Sequence, residues 1–472
     1  MSLTARIARN TIIQIVGKGA AVLFGIGAIS LLTRSLGQTG FGAYTTVVTF
    51  VQFFGTLADL GLYVVSVKKI SEHGVDADRM FSNIFTLRII SALVFVVLAP
   101  LIVLFFPYPQ EVKIGVALVS ATNLFVTLTQ VLTVVFQKSL AMTRAALAEV
   151  AGKAVFFGLI ALFLIRGYSL MAMLLAVVLA SAAQCLLLLI AARRFVRIRL
   201  TYDAPIWREV LRESWPVAIS VALNLIYFKA DTIILSLFHP QATVGLYGAS
   251  YKVLEVLVAL PAMFAGLILP LVTLHFSRND WEKFRIVVQK GFDALTMLGL
   301  PIVAGAFVLA YPIMTLIAGS EFAASGGILR VLIFAVGIIF VGTMFGYTVV
   351  IINQQRAMIK YYLGVAVFAL VGYFIFIPPY GVWGAAGMTV ATEAAIMFLG
   401  YLVVRRATNV RLSLAQFWRA FAASGAMAGI VYTVRSLPLY ATVPIGIVVF
   451  VVALWAVGGL RRELIQQVIR VR

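Results

Sequence analysis

Several ionisable side chains lie inside long apolar segments of this chain, where a charge is costly unless it has a partner or a task. Three bases and three acids stand out: Lys18, Arg88, Lys229, Asp59, Asp231 and Glu393. A cavity lined by lysine and arginine suits an anion, phosphate above all, through charge-assisted hydrogen bonds. A single acid in an apolar helix, such as Asp231 or Glu393, is suited to holding a proton or a cation.

Each of these groups also has a purely structural interpretation. Asp59 and Arg88 fall at similar depths in neighbouring spans, so they can pair and lock the two spans together. Lys252 and Glu255 are three residues apart, the spacing of a local ion pair on one helical face. For Asp59 and Arg88 the sequence leaves both roles open.

Lys18 and Lys229 have no carboxylate on their own helical face. Lys229 and Asp231 are two residues apart, so their side chains point about 200° away from each other. These two lysines are therefore predicted to face a cavity. The first predicted span contains no acid at all between residues 10 and 32, which disfavours a cationic substrate.

Uncharged polar residues accompany the charges. Asn123, Thr127 and Gln130 lie on one helical face of the predicted fourth span. Gln14 lies one turn before Lys18, and Asn224 belongs to the seventh span. Hydroxyl and amide groups of this kind can donate and accept hydrogen bonds inside a span.

The composition places these residues in a lipid bilayer. Of the 472 residues, 62% are hydrophobic and 11% are charged, with a mean hydropathy of +1.06. Soluble domains run nearer 45–50% apolar and about 25% charged. The apolar runs are continuous rather than alternating, which predicts helices and excludes barrel strands.

The pattern predicts an all-α polytopic protein with about fourteen transmembrane helices. They cover roughly 10–33, 42–66, 81–106, 114–137, 147–165, 169–192, 213–238, 244–272, 291–318, 327–351, 361–377, 382–404, 416–434 and 440–460. Lysine and arginine concentrate in the connectors of one side, so both termini are predicted to be cytoplasmic in a cell membrane protein. Topology thus accounts for most of the net charge of +20, and no nucleic-acid partner is expected.

An internal repeat organises the spans. Three pairs of segments match in the same order: 39–44 with 242–247, 137–144 with 353–360, and 167–194 with 379–406. Six spans per half give a parallel repeat, and transporters of this kind bind substrate at the repeat interface near the midplane. The predicted domains are a six-helix lobe 1–194, a basic cytoplasmic linker 195–212, a second lobe 213–406, and two appended helices with a cytoplasmic tail 407–472.

Motifs for enzyme chemistry, metals or cofactors are not found. The three histidines are scattered over connectors, without zinc spacing. There is no glycine-rich phosphate loop with its lysine and no nucleophile elbow. The non-cytoplasmic connectors are short. We therefore expect no enzyme activity, no cofactor and no metal.

The segment around the first loop carries a family resemblance. Its residues are Leu32, Thr33, Arg34, Leu36, Gly37, Phe41, Gly42 and Tyr44, followed by Leu57, Asp59 and Gly61. Together with the fourteen-span, six-plus-six architecture, this pattern resembles the polysaccharide flippase (Wzx-type) branch of the multidrug/oligosaccharidyl-lipid/polysaccharide exporter superfamily. The detailed match covers about residues 10–70.

The resemblance implies a flippase that moves a polyprenyl-pyrophosphate-linked oligosaccharide across the cytoplasmic membrane by alternating access. On this interpretation Lys18, Arg88 and Lys229 hold the pyrophosphate, and the sugars face the polar set of Gln14, Asn123, Thr127, Gln130 and Asn224. Asp59, Asp231 and Glu393 are the candidates for ion coupling. The implied partners are the lipid-linked substrate, the bilayer and other membrane proteins of polysaccharide assembly.

Three other functions stay open at this stage. A cation-coupled multidrug exporter and a lipid II flippase belong to the same superfamily, and the anionic headgroup of lipid II fits the same charges. A membrane glycosyl transferase or polymerase is the alternative of another class, and the short outer loops weigh against it.

Overall fold

The computed structural model describes residues 3–59, 61–71, 76–139 and 141–459. Within those ranges it contains one short 3-10 helix, Ser320–Phe322, and fourteen α-helices: α1 Leu3–Asp59, α2 Leu62–Ser71, α3 Ala77–Val103, α4 Gln110–Lys138, α5 Met142–Ile165, α6 Leu170–Ala192, α7 Ala204–Phe238, α8 Gln241–Ser277, α9 Trp281–Ala318, α10 Ser325–Ile351, α11 Gln355–Tyr380, α12 Val382–Thr408, α13 Ala415–Thr433 and α14 Leu439–Ala456. The all-α polytopic fold is thereby confirmed. The predicted cytoplasmic tail beyond Gly459 lies outside the described residues.

The helices do not correspond one to one with the predicted spans. Twelve helical segments of the described chain are long and apolar enough to cross a membrane. The first of them, Val16–Asp59, covers most of the first two predicted spans, and Gly37 separates these with non-helical backbone angles. The predicted thirteenth span corresponds to α13, which is not among the twelve, since Gln416 and Arg419 near its start lower its mean hydropathy.

A second glycine divides the predicted second span. That span was expected to run continuously over 42–66, but α1 ends at Asp59 and α2 begins at Leu62. Gly61 between them has a φ of +69°, a conformation that glycine adopts without steric cost. A Cβ at Gly61 would also lie 2.8 Å from the Cβ of Val217 in α7. The break therefore ends the span and brings α2 against α7.

The chain forms two compact units, Met1–Gly245 and Leu246–Arg472. In the first unit α1 packs on α4 and α5, α4 packs on α3 and α6, and α7 packs on α1, α2 and α3. Apolar residues of α2, α3, α4, α6 and α7 form one buried core there, with Phe81, Phe136 and Leu188 among its members. Contacts thus group α7 with the first six spans, whereas the sequence repeat assigns it to the second lobe, and the lobe boundaries stay a prediction.

Ion pairs join α2 to the beginning of α7. The ammonium group of Lys69 lies 2.5 Å from a carboxylate oxygen of Glu209 and 2.8 Å from one of Glu213. Only 6% of the Lys69 side chain is exposed. Lys68 also contacts Glu213, at 2.8 Å, but 61% of its side chain is exposed. Hydrogen bonds to Glu209 and Glu213 raise the pKa of Lys69 above its usual range, so it stays charged at any physiological pH.

We expect Lys69→Ala to lower the unfolding free energy by about 1–3 kcal/mol, because two carboxylates lose the same buried cation. The matched control is Lys68→Ala, which removes an exposed pair and should cost less than about 1 kcal/mol. Thermal unfolding of both variants in detergent measures the difference. Equal unfolding temperatures for the two variants would show that burial of Lys69 does not matter.

The second unit has its own core of helices. In it α10 packs on α9 and α12, α11 packs on α12, and α13 packs on α9 and α14. Hydrogen bonds attach α8 to this group, since the hydroxyl of Ser250 donates to the carbonyl of Ser325 at 2.8 Å and Ser325 donates to Leu246 at 2.9 Å. The appended helices α13 and α14 therefore add to the second unit through α9.

Inside the first unit, α1 crosses the first turn of α8 in van der Waals contact. A Cβ at Gly42 would collide with the carbonyl oxygen of Gln241, and a Cβ at Gly245 would collide with that of Gln38. Gly42 and Gly245 occupy equivalent positions in the repeat, as do Gln38 and Gln241. Each of these contacts is therefore the counterpart of the other in the sequence repeat. Gln241 also accepts a hydrogen bond of 2.8 Å from Thr46.

Candidate functional site

A buried ion pair links α1, α3 and α4 in the first unit. Arg88 in α3 is fully buried and donates a hydrogen bond from one terminal nitrogen to Asp59, the last residue of α1. Its other terminal nitrogen donates to the side-chain oxygen of Gln130 in α4, at 3.1 Å. The Arg88 Nε atom has no hydrogen-bond partner among the described residues. Of the two roles that the sequence leaves open for Asp59 and Arg88, the structure shows the pair. Arg88 has no surface that a ligand could reach in this conformation.

The polar stripe of α4 points into the protein. Asn123 and Thr127 are buried, and the Asn123 amide lies against Gly55 of α1, where a Cβ would collide with its oxygen. The Asn123 Nδ2 atom has no partner within the described chain. With Gln130 bonded to Arg88, this stripe continues the buried polar network from α3 along α4. The assignment of these residues to sugar contacts stays a prediction.

Lys18 forms an ion pair with a residue of another helix, Glu149 of α5. Its ammonium group lies 3.6 Å from a carboxylate oxygen of Glu149 in α5, and 47% of the Lys18 side chain is exposed. Gln14, one turn earlier, is half-buried. We did not predict Glu149, although its i, i+4 relation to Lys153 on α5 marked a charged face. Lys18 is therefore accessible but partly neutralised.

The remaining residues of the first unit lie on α7. The Lys229 ammonium is half-buried and lies 5.6 Å from the centre of the Phe228 ring. Asp231 is fully buried and accepts hydrogen bonds from the Thr232 N–H, at 2.5 Å, and from the Thr232 hydroxyl, at 3.2 Å. Asn224 is exposed and donates to the Tyr227 hydroxyl at 2.5 Å. Of the three, Asn224 and Lys229 keep surface that a ligand could touch.

The second unit contributes one candidate and one apolar groove. Glu393 in α12 is 7% exposed, and its carboxyl group has no hydrogen bond or ion pair within the described chain. Lys252 and Glu255 form the predicted local pair, at 2.8 Å. The groove, of about 680 Å³, lies between α9, α10, α12 and α13, and its lining includes Phe307 and Phe421. A chain of acyl or isoprenoid type fits such a lining.

The predicted residues thus divide into two groups. Asp59, Arg88 and Gln130 form one contiguous network, with Asn123 and Thr127 along the same helix. Lys18 and Lys229 lie apart from that network and retain accessible surface. No group of three or more metal-ligating side chains occurs in the described residues. The arrangement offers accessible lysines to an anion and holds one carboxyl, that of Glu393, away from water.

These features define a multi-pass α-helical membrane protein with ionisable groups inside its spans. Residues 7–273 match the family described as polysaccharide biosynthesis protein, more than half of the chain, and the chain belongs to that family. A curated relative is the probable low-salt glycan biosynthesis flippase Agl15 of Haloferax volcanii, 23% identical over 211 residues. That match spans 45% of this chain and 45% of the relative.

Two solved structures share the fold. The lipid II flippase MurJ in an inward closed conformation superposes with a TM-score of 0.78 at 14% identity, covering 94% of this chain and 98% of MurJ. An inward-facing multidrug resistance MATE family transporter of the MOP superfamily gives 0.66 at 16% identity, covering 84% of this chain and 98% of the transporter. At these identities the likeness concerns the fold alone.

Proposed function

We propose that this protein is a flippase that moves a polyprenyl-pyrophosphate-linked oligosaccharide from the cytoplasmic to the outer leaflet of the cytoplasmic membrane, for polysaccharide biosynthesis. Sugars and pyrophosphate cannot cross hydrocarbon unaided, whereas the lipid tail stays in the bilayer. Alternating access of a hydrated site provides the route. The proposal includes cytoplasmic termini and no enzyme activity, and it leaves partner proteins of polysaccharide assembly as a further expectation.

The observation that carries the proposal is the family match, combined with lysines inside the spans that keep part of their surface accessible. Lys18 and Lys229 are the proposed contacts to the pyrophosphate. Arg88 can contact it directly only if Asp59 releases the guanidinium, since that side chain is fully buried here. In the polar set proposed for the sugars, Asn224 is exposed and Gln14 and Gln130 are half-buried, whereas Asn123 and Thr127 are buried.

The proposed coupling groups differ in how their charge is held. Asp59 is paired with Arg88, and Asp231 accepts hydrogen bonds from Thr232. Glu393 is buried with neither kind of contact within the described chain. An isolated buried carboxyl is most easily discharged by taking up a proton. We therefore place Glu393 first among the three candidates for proton coupling.

The decisive experiment measures glycolipid binding and translocation in reconstituted protein. We expect Lys18→Ala/Lys229→Ala to bind a polyprenyl-pyrophosphate oligosaccharide about a hundredfold more weakly, because each lost lysine removes a charged hydrogen bond. The matched control is Lys360→Ala, an exposed lysine beside Tyr361. If the double variant binds the glycolipid as tightly as the wild type, the two lysines are not part of the binding site. Binding of a cationic dye in place of the glycolipid would instead indicate a drug exporter.

A further inference from the structure

Three exposed arginines line an open cavity at the end of α6 that the proposed transport function does not use. The cavity has a volume of about 420 Å³ and lies in the first unit. Its lining consists of Leu189, Arg193, Val196, Arg197, Ile198 and Arg199. Half of these residues are cationic and half are apolar, so one compact site offers both guanidinium groups and a hydrophobic surface.

The neighbouring acids are engaged elsewhere. Asp78 accepts a hydrogen bond of 3.3 Å from the backbone N–H of Arg197 and does not pair with its guanidinium. Asp203 forms its ion pair with Arg79. In the described chain none of the arginines lining the cavity has a carboxylate partner. Three like charges that line one pocket and have no carboxylate partner among the described residues favour binding of an anion.

The position of the cavity indicates which anion. α6 is one of the apolar membrane-spanning segments and ends at Ala192, so the cavity begins where the hydrocarbon region ends. Leu189 lies within the span, and Val196 is buried just beyond it. A phosphate group held by the arginines would leave the attached glycerol and chains facing Leu189 and Ile198, which are only partly buried. Basic sites at this level of a membrane protein recognise anionic lipid headgroups.

We propose that Arg193, Arg197 and Arg199 form a binding site for the phosphate of an anionic phospholipid headgroup. Phosphate is the chemistry recognised, and the apolar half of the lining assigns it to a membrane lipid rather than to a soluble anion. The bound lipid is a resident of the annulus and is not transported. The site stands on its own geometry and does not depend on the proposed flippase activity.

Native mass spectrometry of the full-length protein in detergent tests this site, with phosphatidylglycerol as the probe and phosphatidylcholine as the zwitterionic reference. We expect Arg193→Gln/Arg197→Gln/Arg199→Gln to weaken binding of the first phosphatidylglycerol by about tenfold or more. The matched control is Arg194→Gln, since Arg194 is exposed, adjacent and absent from the lining. The affinity of this control variant for phosphatidylglycerol should lie within about twofold of that of the wild type.

Two outcomes would overturn the proposal. One is unchanged phosphatidylglycerol binding in the triple variant. The other is displacement of the lipid by millimolar inorganic phosphate, which would assign the site to a soluble anion. If the triple variant fails to fold, the single variants Arg193→Gln and Arg197→Gln replace it, each expected to weaken binding about threefold or more. Glycolipid binding should be unchanged in all of them, which separates this test from that of the transport function.

Discussion

Asp59→Asn is expected to destabilise the protein by about 3–5 kcal/mol, because it leaves the guanidinium of Arg88 buried without its counter-charge. Arg88 is fully buried, and its remaining side-chain bond, to Gln130, is to a neutral acceptor. An amide in place of the carboxylate keeps the shape and removes only the charge. Thermal unfolding in detergent, together with the yield of folded protein, measures the loss.

A double-variant cycle separates the structural role of this pair from a functional one. Asp59→Asn/Arg88→Gln removes both charges together, so we expect it to recover most of the stability lost by either single variant. A stable double variant that still translocates glycolipid would assign the pair to locking α1 and α3. A stable double variant without transport would assign it to coupling or to substrate. Wild-type stability of both single variants would contradict the buried pair itself.

Gly42→Ala is expected to produce the second large effect, a loss of about 1–3 kcal/mol or more through overpacking. The added Cβ would collide with the backbone carbonyl of Gln241 and lie 3.0 Å from the backbone nitrogen of Gly245. Neither backbone group can rotate away as a side chain would, so α1 and the first turn of α8 must separate. Unfolding temperature in detergent measures the cost.

A matched control for Gly42 exists on the same helix. A Cβ at Gly25 meets nothing within 4 Å, so Gly25→Ala should be neutral or stabilise α1 by up to about 1 kcal/mol. Gly245→Ala should lower the stability by an amount similar to Gly42→Ala, because its Cβ would collide with the backbone carbonyl of Gln38 where the same two helices cross. The double Gly42→Ala/Gly245→Ala should then cost less than the sum of the two. Full additivity would show that the two glycines act at independent contacts.

The sequence identified many of the candidate site residues by their type, but it did not show which of them contact each other. The cost of a charge inside the membrane singled out Asp59 and Arg88, and their similar depth made pairing one of two possible roles. The structure shows that pair. The same reasoning missed Glu149 as the partner of Lys18, because the contact joins α1 to α5 and depends on how the two helices are rotated. Helical spacing predicts neighbours on one helix and is silent about the facing helix.

The sequence by itself determined that the chain is a helical multi-pass membrane protein, because continuous apolar runs can satisfy their backbone in lipid only as helices. It also marked the first loop, where Gly37 adopts the positive φ angle that breaks the helix. Only the tertiary structure decided where the second span ends, which unit α7 packs in and which charges are enclosed. Those outcomes follow from side-chain packing between helices, which hydropathy and periodicity along one chain do not encode.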